Sequence, residues 1–393
     1  MDDEFNGKMI ASLMQTDPAA AAAKILEHVE MQTNMPLNIA ITGKSGSGKS
    51  TFINYFRGTT NNDEGAAPAG CTETTSVVSS YLHPKYANVI LWDLPGIGTT
   101  NISADEYMKH VEFESFDFFI IISDTRFREN DVKLAKAIQK MEKKFYFVRS
   151  KIDSDLQAQE RSKQNFNAEE TLKQIRENYI RDLQIEGFES PQVFLLSNYD
   201  LHLFDFPLLH ETLERELPEH KRRAFLMAML NINLQVINKK KEALHSQIKY
   251  IAAASAAGAA VPVPGLSIAV KFTLIFTAFK QYIVSFGLDI RSLDKLADST
   301  GVPVTDLTGV IHSPPATVKI TPALILKFFA QLRIAIALMA AEEVVRFIPM
   351  IRIPAAMGLS FAATSKALSH IHNILAEDGQ RVFKRALGLN SSV

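Results

Sequence analysis

Residues 43–51 read GKSGSGKST. The spacing G-x-x-x-x-G-K-S/T from Gly43 to Ser50 is that of a phosphate-binding loop, which requires a buried strand before it and a helix after it. Glycines let successive backbone N–H groups turn inward around phosphate, and the dipole of the following helix favours the negative charge. Gly43, Gly46, Ser47, Gly48, Lys49, Ser50 and Thr51 are therefore expected at a nucleotide. Lys49 is expected to reach the β- and γ-phosphates as the catalytic cation, and the Ser50 hydroxyl to bind magnesium.

Three further elements follow in order. DLPG (93–96) closes an apolar run, so Asp93 is placed to hold magnesium through water and the Gly96 N–H to meet the γ-phosphate. RSKID (149–153) closes another, which offers the Lys151 stem for packing on a base and the Asp153 carboxylate for the guanine N1–H and exocyclic amine. Ser150 stands where Asn or Thr is usual in such a base reader. SN (197–198) ends a third run, where the backbone at Ser197 and Asn198 is expected near the guanine O6. The four together imply GTP and GDP as ligands.

A glutamine that orients water in Ras-type GTPases is replaced by Ile97. The stretch AGCTETTS (69–76) falls where the first switch belongs, and offers Glu73 to position water with Thr72, Thr74 and Thr75 as magnesium or phosphate contacts.

The elements that must position these residues are legible as texture. LNIAITG (37–43), NVILWD (88–93), FDFFIII (116–122), KFYFVRS (144–150) and QVFLLSN (192–198) read as buried strands separated by helical stretches. That rhythm predicts an α/β domain, a mostly parallel sheet with helices on both faces. Residues 9–31 have helical spacing interrupted around Pro18, and beyond LPEHKRR (217–223) the chain is helical and apolar. The expected organisation is an N-terminal helical segment over 1–34, a GTPase domain over 35–219 and a helical domain over 220–393. Residues 251–270 carry no charge, but Pro262, Pro264 and Gly265 interrupt them. A buried helical hairpin and conditional membrane insertion both fit that pattern. Basic groups at Lys221–Arg223 and Lys239–Lys241 are candidates for anionic headgroups.

A formal net charge of −1 argues against nucleic acid as a partner. The single cysteine, Cys71, excludes an internal disulfide and fits a reducing compartment. No signal peptide is expected from MDDEF, Asp2 precludes N-myristoylation, and NSSV is not a prenylation box.

The segments PLNIAITGKSGSGKSTFIN, NVILWDLPGIGTTN, FDFFIIISDTRF, KKFYFVRSKID and VFLLSN…FDFP resemble the immunity-related GTPases, the interferon-inducible p47-type group. The resemblance covers residues 35–220 and continues more weakly through SFGLD (285–289) to AEDGQRVFKRAL. Lys49 matches the lysine-bearing subclass. The resemblance implies a Ras-like P-loop GTPase domain plus an all-α domain built from N- and C-terminal segments, with Mg2+ as cofactor. It also implies nucleotide-dependent self-association through the GTP-binding faces. A cytoplasmic protein peripherally associated with intracellular membranes, acting on pathogen-containing vacuoles in cell-autonomous immunity, is the implied role. Glu73 followed by Thr75 matches the family's first switch, which implies Glu73 as the catalytic acid and Thr75 at the magnesium and nucleotide. Lys44 departs from the Glu common at its position, and without a myristoylation site another element must meet the membrane. A slow GTP-dependent switch with an effector-binding helical half is the alternative. An RNA-binding assembly GTPase would need a basic second half, which this chain lacks.

Overall fold

The computed structural model describes residues 16–70, 78–95, 113–125, 127, 129–197, 203–260, 266–313 and 352–389. The chain forms two compact units, Met35–Ile232 and the segments that flank it. Helix α1 (Pro18–Asn34) belongs to the flanking unit. Pro18 opens this helix rather than breaking it, because its fixed φ suits a first turn and its missing N–H is not needed there. The Asp17 carboxylate caps the turn by accepting from the Ala20 N–H at 3.0 Å.

The central unit runs β1 (Leu37–Gly43), α2 (Lys49–Phe56), β2 (Ser79–Leu82), β3 (Val89–Asp93), β4 (Phe118–Ser123), α3 (Glu129–Lys140) and β5 (Lys144–Arg149). It continues with α4 (Ile152–Ser162), α5 (Ala168–Ile185), β6 (Val193–Leu195), α6 (Phe206–Glu216) and α7 (Glu219–Ala228). The strands form one sheet in the order β2-β3-β1-β4-β5-β6. All neighbours are parallel except β2, which runs antiparallel to β3. This is the Ras-like arrangement. The five apolar runs are all strands; β2 was not anticipated. It reads SSYL and alternates between half-buried and exposed positions at the sheet edge, so it has no apolar run to betray it.

Because side chains alternate across a strand, each inner strand feeds two cores. On one face Phe119 and Ile121 of β4 and Phe147 of β5 pack with Leu134 of α3 and Tyr179 of α5. On the other, Phe118 meets Phe225 of α7 edge-on at 6.4 Å, and Phe225 meets Phe56 of α2 at 6.2 Å. Burying one such ring is worth roughly 1.5–3 kcal/mol. Phe225 is fully buried, and Lys221 pairs with Asp117 at 2.5 Å. The sheet unit therefore runs past residue 219, the boundary expected from composition, to Ile232.

The flanking unit holds α1 with α8 (Leu234–Ala259), α9 (Leu266–Ser285), α10 (Ile290–Thr300), α11 (Val304–Gly309) and α12 (Arg352–Ala386). Helix α8 is its axis and packs on α1, α9 and α12. Its small residues serve close packing: a Cβ on Gly258 would come within 3.1 Å of Val270. The charge-free stretch is helical on both sides of residues 261–265, which lie outside the described residues, and its first half is mostly buried. Among the described residues no helix is long and apolar enough to cross a membrane. The two basic runs are less available than their sequence implied. Besides the Lys221 ion pair, Arg222 donates from Nε to the Glu214 carbonyl at 3.0 Å, and Lys240 is buried with Nζ on the Ser285 carbonyl at 3.3 Å.

One buried histidine in this unit makes stability depend on pH. His372 of α12 sits among Tyr282, Phe286 and His245, with Nε2 2.8 Å from the Lys241 carbonyl oxygen. Burial holds its pKa below the ordinary histidine value; the Lys241 carbonyl opposes this, and the charges of His245 and Lys241 add to it. The unfolded chain therefore takes up a proton before the folded chain does. Stability contributed by neutral His372 is present above the unfolded pKa, about 6.5, and is lost as pH falls below it. We expect the melting temperature to fall between about pH 7 and pH 5, and to fall less in His372→Gln, which keeps a donor for Lys241 but cannot titrate there. Equal slopes in thermal melts of the two proteins would assign the acid sensitivity elsewhere.

Candidate nucleotide-binding site

Five parallel strands end on one edge, at Gly43, Asp93, Ser123, Arg149 and Leu195. Strand β1 lies between β3 and β4, where the strand order reverses, and such a reversal opens a crevice for ligands.

The phosphate loop leaves β1 at Gly43, whose φ is +134° and where a Cβ would lie 2.0 Å from the Ile122 carbonyl oxygen of β4. Only glycine fits there. Gly48, at φ 93°, turns the chain into α2, which starts at Lys49. The Lys49 side chain is buried and donates from Nζ to the Lys44 carbonyl at 3.3 Å. Lys44 itself is exposed. Next along α2, the Ser50 hydroxyl donates to Asp93 Oδ2 at 2.9 Å, and both residues are buried. The pair supplies hard oxygen donors and few of them, which suits Mg2+, a cation that takes most of its ligands from phosphate and water. Thr51 follows, half-buried.

The turn that carries Lys151 and Asp153 lies two strands away. Lys151 adopts a left-handed backbone at φ 59° ahead of α4. Its ammonium donates to the Gly46 carbonyl at 2.7 Å and to Asp124 Oδ2 at 3.0 Å. Asp153 lies half-buried in the first turn of α4. The Ile152 N–H donates to the Leu196 carbonyl at 3.2 Å and the Leu196 N–H to the Arg149 carbonyl at 2.8 Å, which holds buried Ser197 beside this turn. Ser150 joins the two ends: its hydroxyl donates to the Ser47 carbonyl at 2.6 Å. A residue read as a departure from pattern is thus a strut. Asp124 was missed outright. An acid directly after a buried strand at the ligand edge was the available signal. Glu73, Thr75, Gly96, Ile97 and Asn198, with Thr72, Thr74 and Cys71, lie outside the described residues.

A phosphate loop on β1, a serine–aspartate pair beside it and a lysine–aspartate turn after β5 define a Ras-like nucleotide-binding domain. The profile described as "Interferon-inducible GTPase (IIGP)" matches residues 8–382. The chain is 39% identical over 372 residues to "Interferon-inducible GTPase 5" of Rattus norvegicus, covering 94% of this chain and 80% of that one. It is 43% identical over 284 residues to "Interferon-gamma-inducible GTPase 10" of Mus musculus, covering 71% and 67%. Among solved structures, the G domain of the T. maritima FeoB iron transporter aligns at 20% identity over 46% of this chain and 97% of that one, with a TM-score of 0.28. The chain belongs to the interferon-inducible, or immunity-related, GTPases, and it is a GTPase.

The Ser150 strut has a measurable weight. Ser150→Ala removes one neutral hydrogen bond, worth about 0.5–1.5 kcal/mol, so GDP affinity in a fluorescent-nucleotide titration should fall about two- to tenfold. Ser150→Thr keeps the hydroxyl and should bind within about twofold of the parent. Unchanged affinity in the alanine variant would show that the loop holds its shape without the strut.

Proposed function

We propose that this GTPase reads guanine with Asp153 and Lys151, holds Mg2+ on the Ser50 side of the loop, and hydrolyses GTP fastest when two copies meet through their GTP-binding faces. The observation that carries the reading is the Lys151 ammonium, seated at once on the phosphate-loop carbonyl of Gly46 and on Asp124. It ties the base reader to the phosphate end within one site. Gly43, Gly46, Ser47, Gly48, Thr51, Gly96, Ser197 and Asn198 complete the nucleotide contacts in this reading. Ser50, Thr75 and, through water, Asp93 would hold Mg2+, which would supply charge neutralisation at the phosphates. Lys49 places a fixed cation between those phosphates, and Glu73 orients the attacking water.

Self-association is supported by sequence and by charge placement. Ile97 cannot hold water, so ordering must come from elsewhere, and exposed Lys44 stands at the loop mouth where a facing copy would meet it. Positioning and electrostatics carry most of phosphoryl transfer, so a facing copy that fixes the first switch and adds positive charge accelerates it. The names of the relatives support a role in immunity, and the family resemblance supports peripheral association with intracellular membranes, including pathogen-containing vacuoles. Membrane association is tested by fractionating cells that express the full chain; recovery only in the cytosolic fraction refutes it.

Two outcomes test the catalytic reading. Specific activity should rise with protein concentration, and Glu73→Ala should abolish that rise while nucleotide binding survives. A Glu73→Ala protein with undiminished, concentration-dependent turnover removes Glu73 from the mechanism. Lys49→Ala deletes a charge-assisted contact worth about 1.5–3 kcal/mol, so GTP affinity should drop about ten- to a hundredfold or more. Hydrolysis at the parent rate by that variant would sink the phosphate-loop assignment.

A further inference from the structure

Arg149 is the last residue of β5, in register between Ser123 of β4 and Leu195 of β6, and directly precedes the base-reading turn. A central strand end is an unusual place for a guanidinium, because a buried charge without a partner is costly. Its side chain is only 9% exposed. One end, Nη2, forms a short ion pair with Asp155 Oδ2. The guanidinium lies 5.7 Å from the centroid of the Tyr179 ring of α5. Its Nε and Nη1 are buried and have no hydrogen-bond partner among the described residues. Arg149 is therefore held by one carboxylate and one aromatic face.

That carboxylate belongs to the base-reading turn. The Asp155 N–H donates to the Lys151 carbonyl at 3.2 Å, so Asp155 closes the first turn of α4, the turn that carries Asp153. Three carboxylates, Asp124, Asp153 and Asp155, converge here. Lys151 is exposed and already engaged by Asp124 and Gly46. Burial raises the Asp155 pKa above the ordinary aspartate value, the charges of Asp153 and Asp124 raise it further, and Arg149 opposes all three. Arg149 is thus the buried cation that pins Asp155 in place and offsets the repulsion of its neighbours.

We propose that Arg149 is a positioning residue for guanine recognition: by anchoring Asp155 it fixes the first turn of α4 and with it the direction of the Asp153 carboxylate. This rests on the reading of Asp153 as the guanine acceptor. A carboxylate reads two guanine donors only when both of its oxygens are aligned, and hypoxanthine lacks the exocyclic amine. The ratio of GDP to IDP affinity therefore reports the alignment of Asp153, which a general loss of stability does not move.

The test measures GDP and IDP affinities of the full chain by titration, with folding checked by circular dichroism. The parent should favour GDP by about tenfold or more, the weight of one hydrogen bond to a charged group. In Arg149→Gln the preference should shrink to within about threefold, with Arg149→Lys restoring some of it because charge without the planar fork anchors Asp155 less well. If Arg149→Gln does not fold, Asp155→Asn carries the test, since it keeps the shape of a side chain that is 32% exposed and removes only its charge. A parent-like ratio in folded Arg149→Gln, or in Asp155→Asn, overturns the proposal. Asp153→Asn separates the two levels. If it too keeps the parent ratio, the guanine reading itself fails; if it loses the ratio while Arg149→Gln keeps it, only the positioning role fails.

Discussion

The site depends on one steric constraint, the contact of Gly43 with the Ile122 carbonyl. A side chain there would sit 2.0 Å from the neighbouring strand's backbone, closer than any real contact. With β1 and β4 hydrogen-bonded in register up to Gly43 and Ile122, the chain can leave the sheet and still double back over its edge. Everything downstream inherits that exit. The start of α2 at Lys49, the depth of the Lys49 stem and the approach of Ser50 to Asp93 follow from where β1 ends relative to β3 and β4. A larger residue would have to push β1 and β4 away from each other, so the penalty falls on the sheet as well as on the loop.

From that fixed edge the two ends of the site are held together by polar contacts to one short segment. Ser150 bonds to the Ser47 carbonyl and Lys151 to the Gly46 carbonyl, so consecutive residues after β5 grip consecutive residues of the phosphate loop. The coupling is mechanical in the strict sense. Rotation of the turn after β5 moves the loop carbonyls and with them the rest of the loop backbone. The sheet on which both are mounted is rigid, packed on both faces by aromatic rings such as Phe119 and Phe225. A small site on a stiff mount is what keeps alignment within the tolerance phosphoryl transfer needs.

Much of this was legible in the sequence because the fold repeats one rule: a buried strand, then a loop with chemistry. Apolar runs flagged five strands, and each motif stood at the end of one. What escaped had no such signature. Strand β2 is half polar, and its place at the edge is set by pairing with β3, a partner seen only in three dimensions. Asp124 and the Ser150 hydroxyl act through residues far along the chain, so their spacing carries no message. The boundary at 219 slipped for a related reason. Helix α7 looks like the rest of the helical half, but Phe225 finds its pocket between Phe118 and Phe56, on the sheet. Charge counts along a sequence say nothing of partners. Lys221 and Lys240 are engaged inside their own units.

The two lysines of the site share an arrangement with a thermodynamic consequence. Lys49 and Lys151 each donate to a carbonyl of the same loop, of Lys44 and Gly46, two residues apart. Their flexible stems are thereby fixed, and on the proposed reading side-chain ordering that nucleotide binding would otherwise have to supply is already in place. On the proposed reading, a phosphate arriving at Lys49 would replace a neutral acceptor by a charged one, roughly doubling the strength of the contact. On the same reading Lys151 would need no such exchange, since its stem and not its charge would be offered to the base. One cation would thus trade partners while the other stays bound to the loop, and both are anchored on carbonyls of one short segment.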